Sequence, residues 1–332
     1  MDESRPGSGQ VIPRAPSGVS DPDDAPDGAP EDTPDGAPHV GVAAVVVTHE
    51  GPGDRLDRCL DALVAGGGLD AIVVVDNSGS TRPHLDGPCV TTLRTDNDGY
   101  GAAADAAFSQ PVVRSADHVA LVNDDVVVTE GWLGPLVDEL ERDPRVGAVQ
   151  PKLLIAPPDP SGPAVVNSLG VEIDRFGAGV DVGHGLADDP ADTAARDVRA
   201  VTAGAVLLRR SFLDDLDGFD HRYFLYYEDV DLCLRGSERG WRFRCAPASV
   251  VMHEMSATTS GLGDERVRLL ERNRLVTAAR FASPTTQARA LSLSLRRLRH
   301  RPRRAHLAGA VAGVARMPTA WRERRRARGA SR

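Results

Sequence analysis

The sequence has almost no lysine, no closely spaced cysteine pair and no long apolar run. Lys152 is the only lysine among 332 residues, which argues against phosphoryl chemistry that depends on a P-loop lysine. No stretch approaches the ~18 apolar residues of a membrane-spanning helix, and the acidic, Pro-rich N-terminus does not resemble a secretory signal. We expect the cysteines to be reduced core thiols of a cytosolic protein rather than disulfides or a metal cluster; they are Cys59, Cys89, Cys233 and Cys245.

The charged residues are unevenly distributed along the chain. The formal net charge is −9, and residues 1–38 are acidic, rich in Pro and Gly, and predicted to be disordered. Across residues 284–332 the only acidic residue is Glu323, whereas arginines recur throughout. The two ends of the chain therefore say more about its partners than the average charge does.

Between these ends, short apolar runs alternate with segments of helical periodicity. This alternation predicts an α/β protein with a mainly parallel central sheet and helices on both faces. In such sheets ligands bind beyond the carboxyl ends of the strands. The predicted strands are 42–48, 71–75, 90–93 and 118–122, and the predicted helices are 54–64, 102–108 and 132–141.

The second half of the chain is less regular. Residues 156–199 are predicted to form a loop-rich insertion that can include a hairpin. Regular structure is expected to return near Val201, followed by a helix over 229–238, short strands over 242–245 and 249–252, and a helix over 264–281.

Polar residues follow several of the predicted strands. Asn123, Asp124 and Asp125 come directly after a buried strand, where carboxylates are suited to Mg²⁺ or Mn²⁺ bound together with substrate phosphates. A solvated turn is the alternative. Asp76 and its neighbours after the second strand are equally ambiguous when considered alone, and His253 after a later strand is either a metal ligand or an ordinary histidine.

Three carboxylates open the helix predicted over 229–238. Glu228, Asp229 and Asp231 follow a stretch rich in tyrosine, and a carboxylate beside apolar surface can serve as a general base. Helix capping is the alternative. Upstream, residues 95–101 form a Gly-rich loop ahead of a helix, whose amides can face phosphates or a ribose. This loop has neither the Walker lysine nor the complete GxGxxG pattern.

Taken in order, these segments resemble the family-2 glycosyltransferases with the GT-A fold, particularly the bacterial rhamnosyltransferase-like and galactofuranosyltransferase-like members. The resemblance covers roughly residues 40–281 and predicts a GT-A domain over 39–283. Its most characteristic part runs from Gly218 to Arg235. The matching segments are 42–48, 73–78, 97–101, 121–126, 202–210, 218–235 and 247–254.

The resemblance implies an inverting transfer of a sugar from a dTDP- or UDP-linked donor, assisted by Mn²⁺ or Mg²⁺. It places Thr48 and Asp76 at the nucleotide base and Asn97 near the donor. It makes Asn123, Asp124 and Asp125 the counterpart of the DXD motif, with Asp125 and His253 as metal ligands. It assigns Asp229 as general base with Glu228 beside it, and Asp231 as a residue that shapes the site.

The sequence departs from the family pattern at three places. Asn123 replaces the first carboxylate of the DXD motif, His49 and Glu50 replace a polar-aromatic pair, and Asp105 stands where Asn is commoner. These departures bear on which nucleotide base and which sugar donor the protein prefers. The insertion over 156–199 is expected near the acceptor side.

Other functions fit less well. A processive synthase predicts membrane helices and a QxxRW motif, and neither is found. A nucleotidyltransferase predicts a loop rich in Gly, Arg and Lys after the first strand, for which Gly51 to Arg55 is a weak match. A catalytically inactive scaffold would not need Asp125, Glu228, Asp229 and His253 together. A nucleic-acid-binding role has only the arginines of the tail to support it.

The tail over residues 284–332 has apolar residues at helical spacing among its arginines. We expect Pro302 and Pro318 to divide it into short basic amphipathic helices, which suit an anionic membrane surface. A solvated tail, or one packed on the catalytic domain, is the alternative. Membrane attachment predicts a cytoplasmic enzyme, peripheral on the inner face of the plasma membrane, acting on a lipid-linked or glycan acceptor.

Overall fold

The computed structural model describes residues 41–49, 53–79, 89–156, 162–254 and 262–330. The segment predicted to be disordered, residues 1–38, lies outside the described residues, as do Glu50 and residues 51–52.

A parallel half-sheet begins the fold. Its strands are β1 (Val42–Thr48), β2 (Ala71–Asp76), β3 (Val90–Arg94) and β4 (His118–Asn123), in the spatial order β3-β2-β1-β4. Every residue of β1 is buried, because alternate side chains point to opposite faces of a sheet that is covered on both. The predicted strands are confirmed at these positions.

Helices cover both faces of this half-sheet. Val42, Ala44 and Val46 belong to one apolar core and Ala43, Val45 and Val47 to another. The first core is closed by α1 and α4, and the second by α2 with later helices. The helices of this half are α1 (Asp54–Gly66), α2 (Tyr100–Phe108), α3 (Pro111–Arg114) and α4 (Gly134–Arg142).

The sheet continues past β4 with strands of both directions. The strands after β4 are β5 (Val126–Val128), β6 (Val146–Ile155), β7 (Val165–Ser168), β8 (Val171–Ile173), β9 (Gly179–Asp181), β10 (Arg196–Val198), β11 (Ala205–Arg209) and β12 (Arg242–His253). The complete order is β10-β12-β6-β11-β4-β1-β2-β3, with β5 paired to β12 and β7 to β6. The expected hairpin of the insertion is β8 with β9.

One sequence expectation about strands is corrected, and one strand had not been predicted. The short strands predicted over 242–245 and 249–252 form one strand, β12, because an irregularity between Ala246 and Val250 lets both parts pair with β6. Strand β6 itself was not expected. It is ten residues long and almost entirely buried, and its polar residues find partners inside the fold.

The later helices are α5 (Arg210–Leu216), α6 (Glu228–Glu238), α7 (Gly263–Phe281), α8 (Pro284–Arg297) and α9 (Arg303–Ala330), with a 3₁₀ turn at His221–Tyr223. Helix α9 lies along α7: a side chain at Gly309 would meet the carbonyl of Arg268 at 2.5 Å, and one at Gly313 would meet Leu275 at 2.9 Å. Glycine therefore permits the close approach of the two helices.

The expectation that Pro318 ends a helix is wrong. Proline inside a helix costs about 3 kcal/mol, but α9 continues through Pro318. Met317 and Ala320 on either side of it are buried against Ala279 of α7. We attribute the unbroken helix to this burial, which offsets the cost of the proline.

Among the residues that the structure describes, every helix is either too short or too polar to span a lipid bilayer. The four cysteines are unpaired; Cys59, Cys233 and Cys245 are buried and Cys89 is partly buried. Burial raises the pKa of the Cys245 thiol to about 12, as expected of an unreactive core thiol.

Candidate active site

A cavity of about 160 Å³ lies at the carboxyl ends of β1 and β4. Strand β1 has β2 on one side and β4 on the other, so the chain order reverses at β1 and the following loops part to leave a crevice. The cavity is lined by Val47, His49, Asn77, Asn97, Gly99, Tyr100, Asn123, Asp124, Asp125, Phe224, Leu225 and Leu262.

The Gly-rich loop packs tightly against the segment that precedes α6. Gly99 has φ of 101°, and a side chain there would overlap the backbone of Phe224. The Tyr100 amide donates to the carbonyl of Phe224 at 2.8 Å. The Tyr100 hydroxyl donates to Ala203 at 3.0 Å. The loop thus joins the cavity to the segment that precedes α6 and to Ala203, whose amide donates to Asp229.

The side chain of Asp124 is fixed by hydrogen bonds to two neighbouring side chains. The Thr48 hydroxyl donates to its Oδ2 at 2.6 Å, and Arg55 lies 3.3 Å from the same oxygen. Burial raises the pKa of Asp124, and these two donors oppose the rise. Thr48 and Asp124, which the resemblance places at the donor, are therefore brought into contact.

Asp76 organises the turn after β2. Its Oδ1 accepts from the amide and hydroxyl of Ser78 at 2.9 and 2.5 Å. Asp76 and Thr48 are both buried, while their neighbours Asn77 and His49 line the cavity and contact each other at 3.3 Å. His49 and Asn77 were not selected from the sequence as binding residues, since only their position after a strand marked them.

Asp125, which lines the cavity, is in contact with His253. His253 Nδ1 donates to Asn167 Oδ1 at 2.9 Å, because an amide oxygen can only accept. His253 Nε2 then lies 3.1 Å from Asp125 Oδ1. An imidazole nitrogen and a carboxylate oxygen at this separation can bind one divalent cation between them, so the pair fits such an ion.

Two protein ligands are few for a metal centre. No group of three or more His, Cys, Asp or Glu side chains suited to a metal occurs among the described residues. Mg²⁺ and Mn²⁺ in transfer enzymes commonly take their remaining ligands from substrate phosphates and water. The Asp125–His253 pair therefore suits a cation that binds together with its substrate.

Glu228, which is buried, and Asp229, which is partly buried, form a carboxyl pair at the start of α6. Burial is the largest cause that raises the pKa of each. Asp229 accepts from the amides of Ala203 and Val230 at 3.0 and 2.7 Å, and such bonds favour its ionised form. Glu228 Oε2 is buried with no partner in the described structure. The proton shared by the pair is therefore expected on Glu228.

The segment before this pair has a strained backbone. Phe224, Tyr226 and Tyr227 have φ of 66°, 68° and 72°, a region that costs about 1–3 kcal/mol for such residues. The Asn273 amide holds the segment by donating to the carbonyls of Tyr223, Leu225 and Tyr226 at 3.0, 2.9 and 2.7 Å. Sequence reasoning missed Asn273, which has no motif signal in a single sequence.

Asp231 faces away from the cavity. It is fully buried, and its two oxygens accept from Arg235 and Arg280, both at 2.7 Å. Residues two apart on a helix point in different directions, so Asp231 does not join Asp229. It belongs instead to a buried ion-pair cluster with Arg235 and Arg280.

The insertion contributes residues that the sequence did not single out. Asn167 orients His253, and its carbonyl accepts from His184 Nδ1 at 3.0 Å. Asp181 lies close enough to Asp229 to raise the pKa of that carboxyl. The insertion therefore reaches both the candidate metal pair and the candidate base.

Asp105 of α2, which stands where the family more often has Asn, fixes the chain segment that leads to α6. Its Oδ2 accepts from the Phe219 amide at 2.9 Å and from His221 Nε2 at 2.7 Å. An asparagine could offer one side-chain oxygen here, whereas the carboxylate can also form an ion pair with protonated His221.

This fold and this pocket define a glycosyltransferase of the GT-A class. The chain belongs to the glycosyltransferase-like family 2, whose model matches residues 38–274. Membership of the family and the GT-A fold, both expected from the sequence, are confirmed.

One relative is the N-acetylglucosaminyl-diphospho-decaprenol L-rhamnosyltransferase of Mycobacterium tuberculosis. It is 31% identical over 241 residues, and the match covers 66% of this chain and 78% of that protein. The chain is thus similar to a rhamnosyltransferase that, by its name, acts on a lipid-linked sugar.

Solved structures show the same fold. The mannosyltransferase PcManGT of Pyrobaculum calidifontis, in complex with GDP-Man and Mn²⁺, has a TM-score of 0.50 and 16% identity, over 87% of this chain and 85% of that one. GalNAc-T7 with UDP, GalNAc and Mn²⁺ has a TM-score of 0.53 and 15% identity, over 72% and 50%. At these identities the likeness establishes the fold alone.

Proposed function

We propose that this chain is an inverting glycosyltransferase that moves rhamnose or galactofuranose from a dTDP- or UDP-linked donor to a hydroxyl of a lipid-linked or glycan acceptor, in cell-envelope polysaccharide synthesis. The name of the mycobacterial relative supports a rhamnose donor and a lipid-linked acceptor. The observation that carries the proposal is a chain of contacts from the cavity to Asp229. Tyr100, which lines the cavity with Asp124 and Asp125, donates from its hydroxyl to the carbonyl of Ala203, and the Ala203 amide donates to Asp229.

In this proposal Asp229 is the general base. Two backbone amides keep it ionised, so it can take the proton of the acceptor hydroxyl as that oxygen attacks the anomeric carbon. Glu228 retains its own proton and so avoids a second negative charge in the same buried space. A single displacement of this kind inverts the configuration at the anomeric carbon.

Asp125 and His253 would hold Mn²⁺ or Mg²⁺ in this proposal. The cation supplies charge neutralisation for the departing diphosphate. Asn167 contributes by fixing the tautomer of His253. These roles rest on the contacts described above and on the resemblance to the family.

The remaining residues of the DXD counterpart and the Gly-rich loop are assigned to the donor. The buried Asn123 Oδ1 has no partner among the residues that the structure describes, and a ribose hydroxyl would satisfy it. Asn97 lines the same cavity. Thr48, Asp76 and Asp124 are assigned to the part of the site that binds the nucleotide base and ribose. Their hydrogen bonds to neighbouring residues fix the shape of this part.

We further propose that the enzyme works at the cytoplasmic face of the plasma membrane, beside its lipid-linked acceptor. A catalytically inactive sugar-nucleotide-binding protein is the alternative. It predicts binding of the donor without turnover, so hydrolysis of the donor in the presence of Mn²⁺ distinguishes the two.

A thermal-shift panel of nucleotide sugars with and without Mn²⁺ tests the proposal, because a ligand that binds only the folded state raises its apparent stability. We expect one dTDP- or UDP-sugar to raise the melting temperature, and to do so more strongly with the cation. A panel in which no nucleotide sugar shifts the melting temperature would contradict the proposed donor class.

A further inference from the structure

Helix α9 has one face that is fixed against the catalytic domain. Ala305, Met317 and Ala320 are buried, and Gly309 and Gly313 meet α7 at the close distances given above. These five residues recur every three or four positions and so lie on one side of the helix. The packing fixes which side of α9 faces outward.

The outward face carries a stripe of apolar side chains. Leu307, Val311, Val314 and Trp321 are 51%, 61%, 47% and 40% exposed, and their spacing puts them in one row. The indole N–H of Trp321 donates to Gln287 of α8 at 2.9 Å, so this end of the row is also held by the domain. We call these four residues the outer stripe. Single exposed apolar residues are common, but an aligned row of them marks an interaction surface.

Arginines flank the outer stripe at both ends. Arg303 and Arg304 precede the stripe, and Arg322, Arg325 and Arg326 follow it. All five are exposed. The outward face therefore combines apolar surface with clustered positive charge.

The one carboxylate of this segment is directed elsewhere. Glu323 accepts from Arg222 at 2.5 Å and lies 3.6 Å from Arg280, both on the domain side of α9. No other acidic residue occurs from 284 to 332. No carboxylate of α9 therefore opposes the arginines beside the outer stripe.

We propose that the outer stripe and its flanking arginines bind the surface of an anionic lipid bilayer. Apolar side chains, a tryptophan and clustered arginines on one helix face are what a helix lying in a membrane interface requires. Nucleic acid would use the arginines but not the exposed leucine and valines. Charge complementarity and the apolar row together therefore select the bilayer.

Helix α7 contacts both α9 and the segment that precedes α6. Helix α9 packs on Arg268 of α7, and Arg266, in the same turn of α7, stands over the ring of Tyr226 at 5.9 Å. Membrane binding does not depend on the proposed reaction. Its use, bringing a lipid-linked acceptor to the catalytic segment, rests on the proposed function.

Co-sedimentation of the full chain tests this surface, using phosphatidylcholine vesicles with and without phosphatidylglycerol. Wild-type protein should bind only the anionic vesicles and should be released by high salt, which screens the arginines. Arg322→Gln, Arg325→Gln and Arg326→Gln combined should weaken binding about 100-fold, at about fivefold for each arginine. Leu307→Ser, Val311→Ser and Val314→Ser combined should weaken it at least about tenfold.

Matched variants elsewhere control for general loss of charge or apolar surface. Val64→Ser with Val112→Ser removes exposed apolar side chains from α1 and α3, and Arg114→Gln, Arg142→Gln and Arg145→Gln removes three exposed charges. Both controls should bind as wild type does. Melting temperatures establish that each variant is folded.

Three outcomes would overturn the proposal. One is equal recovery of wild type with neutral and anionic vesicles. The second is binding to duplex DNA that survives the triple serine variant and competes fully with vesicles. The third is a wild-type dimer, seen by analytical ultracentrifugation, that the serine variant dissociates, because the stripe would then be a self-association surface. Donor hydrolysis is measured separately, so failure of membrane binding leaves the proposed reaction intact.

Discussion

His253 Nε2 lies 3.1 Å from Asp125 Oδ1, although the two residues are 128 positions apart. The antiparallel pairing of β12 with β5 creates this contact, since its register places His253 opposite Val126. A shift of one residue would turn the imidazole to the other face of the sheet. The candidate metal site is therefore a product of strand register.

Removing the cation should stop sugar transfer. We expect EDTA to abolish activity and Asp125→Ala to weaken donor binding, because the diphosphate would lose its counter-charge. Asn167→Ala should lower the affinity for Mn²⁺ about 10–100-fold by releasing the tautomer of His253. Titration with Mn²⁺ measures this, and Glu254→Gln, next to His253 but paired with Arg58, is the control. Full activity in chelator would refute the metal assignment.

Two aspartates on α6 should give opposite results. Asp229→Asn removes the base and should lower kcat about 10²–10⁴-fold with little change in donor affinity. Asp231→Asn should instead lower the melting temperature, since it leaves Arg235 and Arg280 without their buried carboxylate. Its folded fraction should retain kcat. Near wild-type turnover in Asp229→Asn would mean that Asp229 only caps the helix.

Glu228→Gln should stabilise the protein at alkaline pH and not at acid pH. Burial raises the pKa of Glu228 in the folded state, so the folded state holds its proton more tightly than the unfolded state does. The resulting stability is complete below the ordinary pKa of about 4.3 and is lost as pH rises through the raised pKa.

The glutamine side chain cannot ionise, so the variant does not lose stability as pH rises. The difference in melting temperature between variant and wild type should therefore grow by a few degrees from mildly acid to alkaline pH. Glu238→Gln, at the exposed end of the same helix, should show no such trend. A difference that stays constant with pH would mean that Glu228 is ionised in the folded state at every pH tested.

Asn273→Asp should reduce turnover by disturbing the strained segment before α6. The substitution keeps the shape of the side chain but places a carboxylate against carbonyl oxygens that now accept from the amide. We expect kcat to fall about 10–100-fold, because small displacements of catalytic groups are costly. Gln287→Ala is the control: it also removes a side-chain amide that donates to backbone carbonyls, and it should leave kcat unchanged. Normal kcat in folded Asn273→Asp would show that the segment holds its shape unaided.

Local patterns in the sequence were sufficient for the parallel half of the fold. Strand β1 is a continuous run of β-branched and alanine residues, and its burial on both faces follows from that run. Local position marked two groups of candidates, residues 123–125 after a strand and residues 228–231 at the start of a helix, and the family resemblance selected Asp125 and Asp229 among them. Those positions depend only on neighbouring residues, so the sequence alone could supply them.

Strand β6 shows why the rest could not be predicted locally. Gln150 and Lys152 interrupt its apolar pattern, yet both are buried. Gln150 accepts from the Thr202 amide at 3.0 Å, and Lys152 donates to Asp188 at 2.7 Å. Buried polar groups are tolerated only when such partners exist, and these partners lie 52 and 36 positions away in the chain.

What the sequence by itself determined is the class of fold, the family and the chemical type of the candidate site residues. The tertiary structure decided which of them meet. It joined His253 to Asp125, separated Asp231 from Asp229, and kept α9 continuous through Pro318 by burying Met317 and Ala320. The physical reason is common to all three. Residue type and local spacing follow from the chain, whereas contacts between distant residues depend on strand register, helix face and burial.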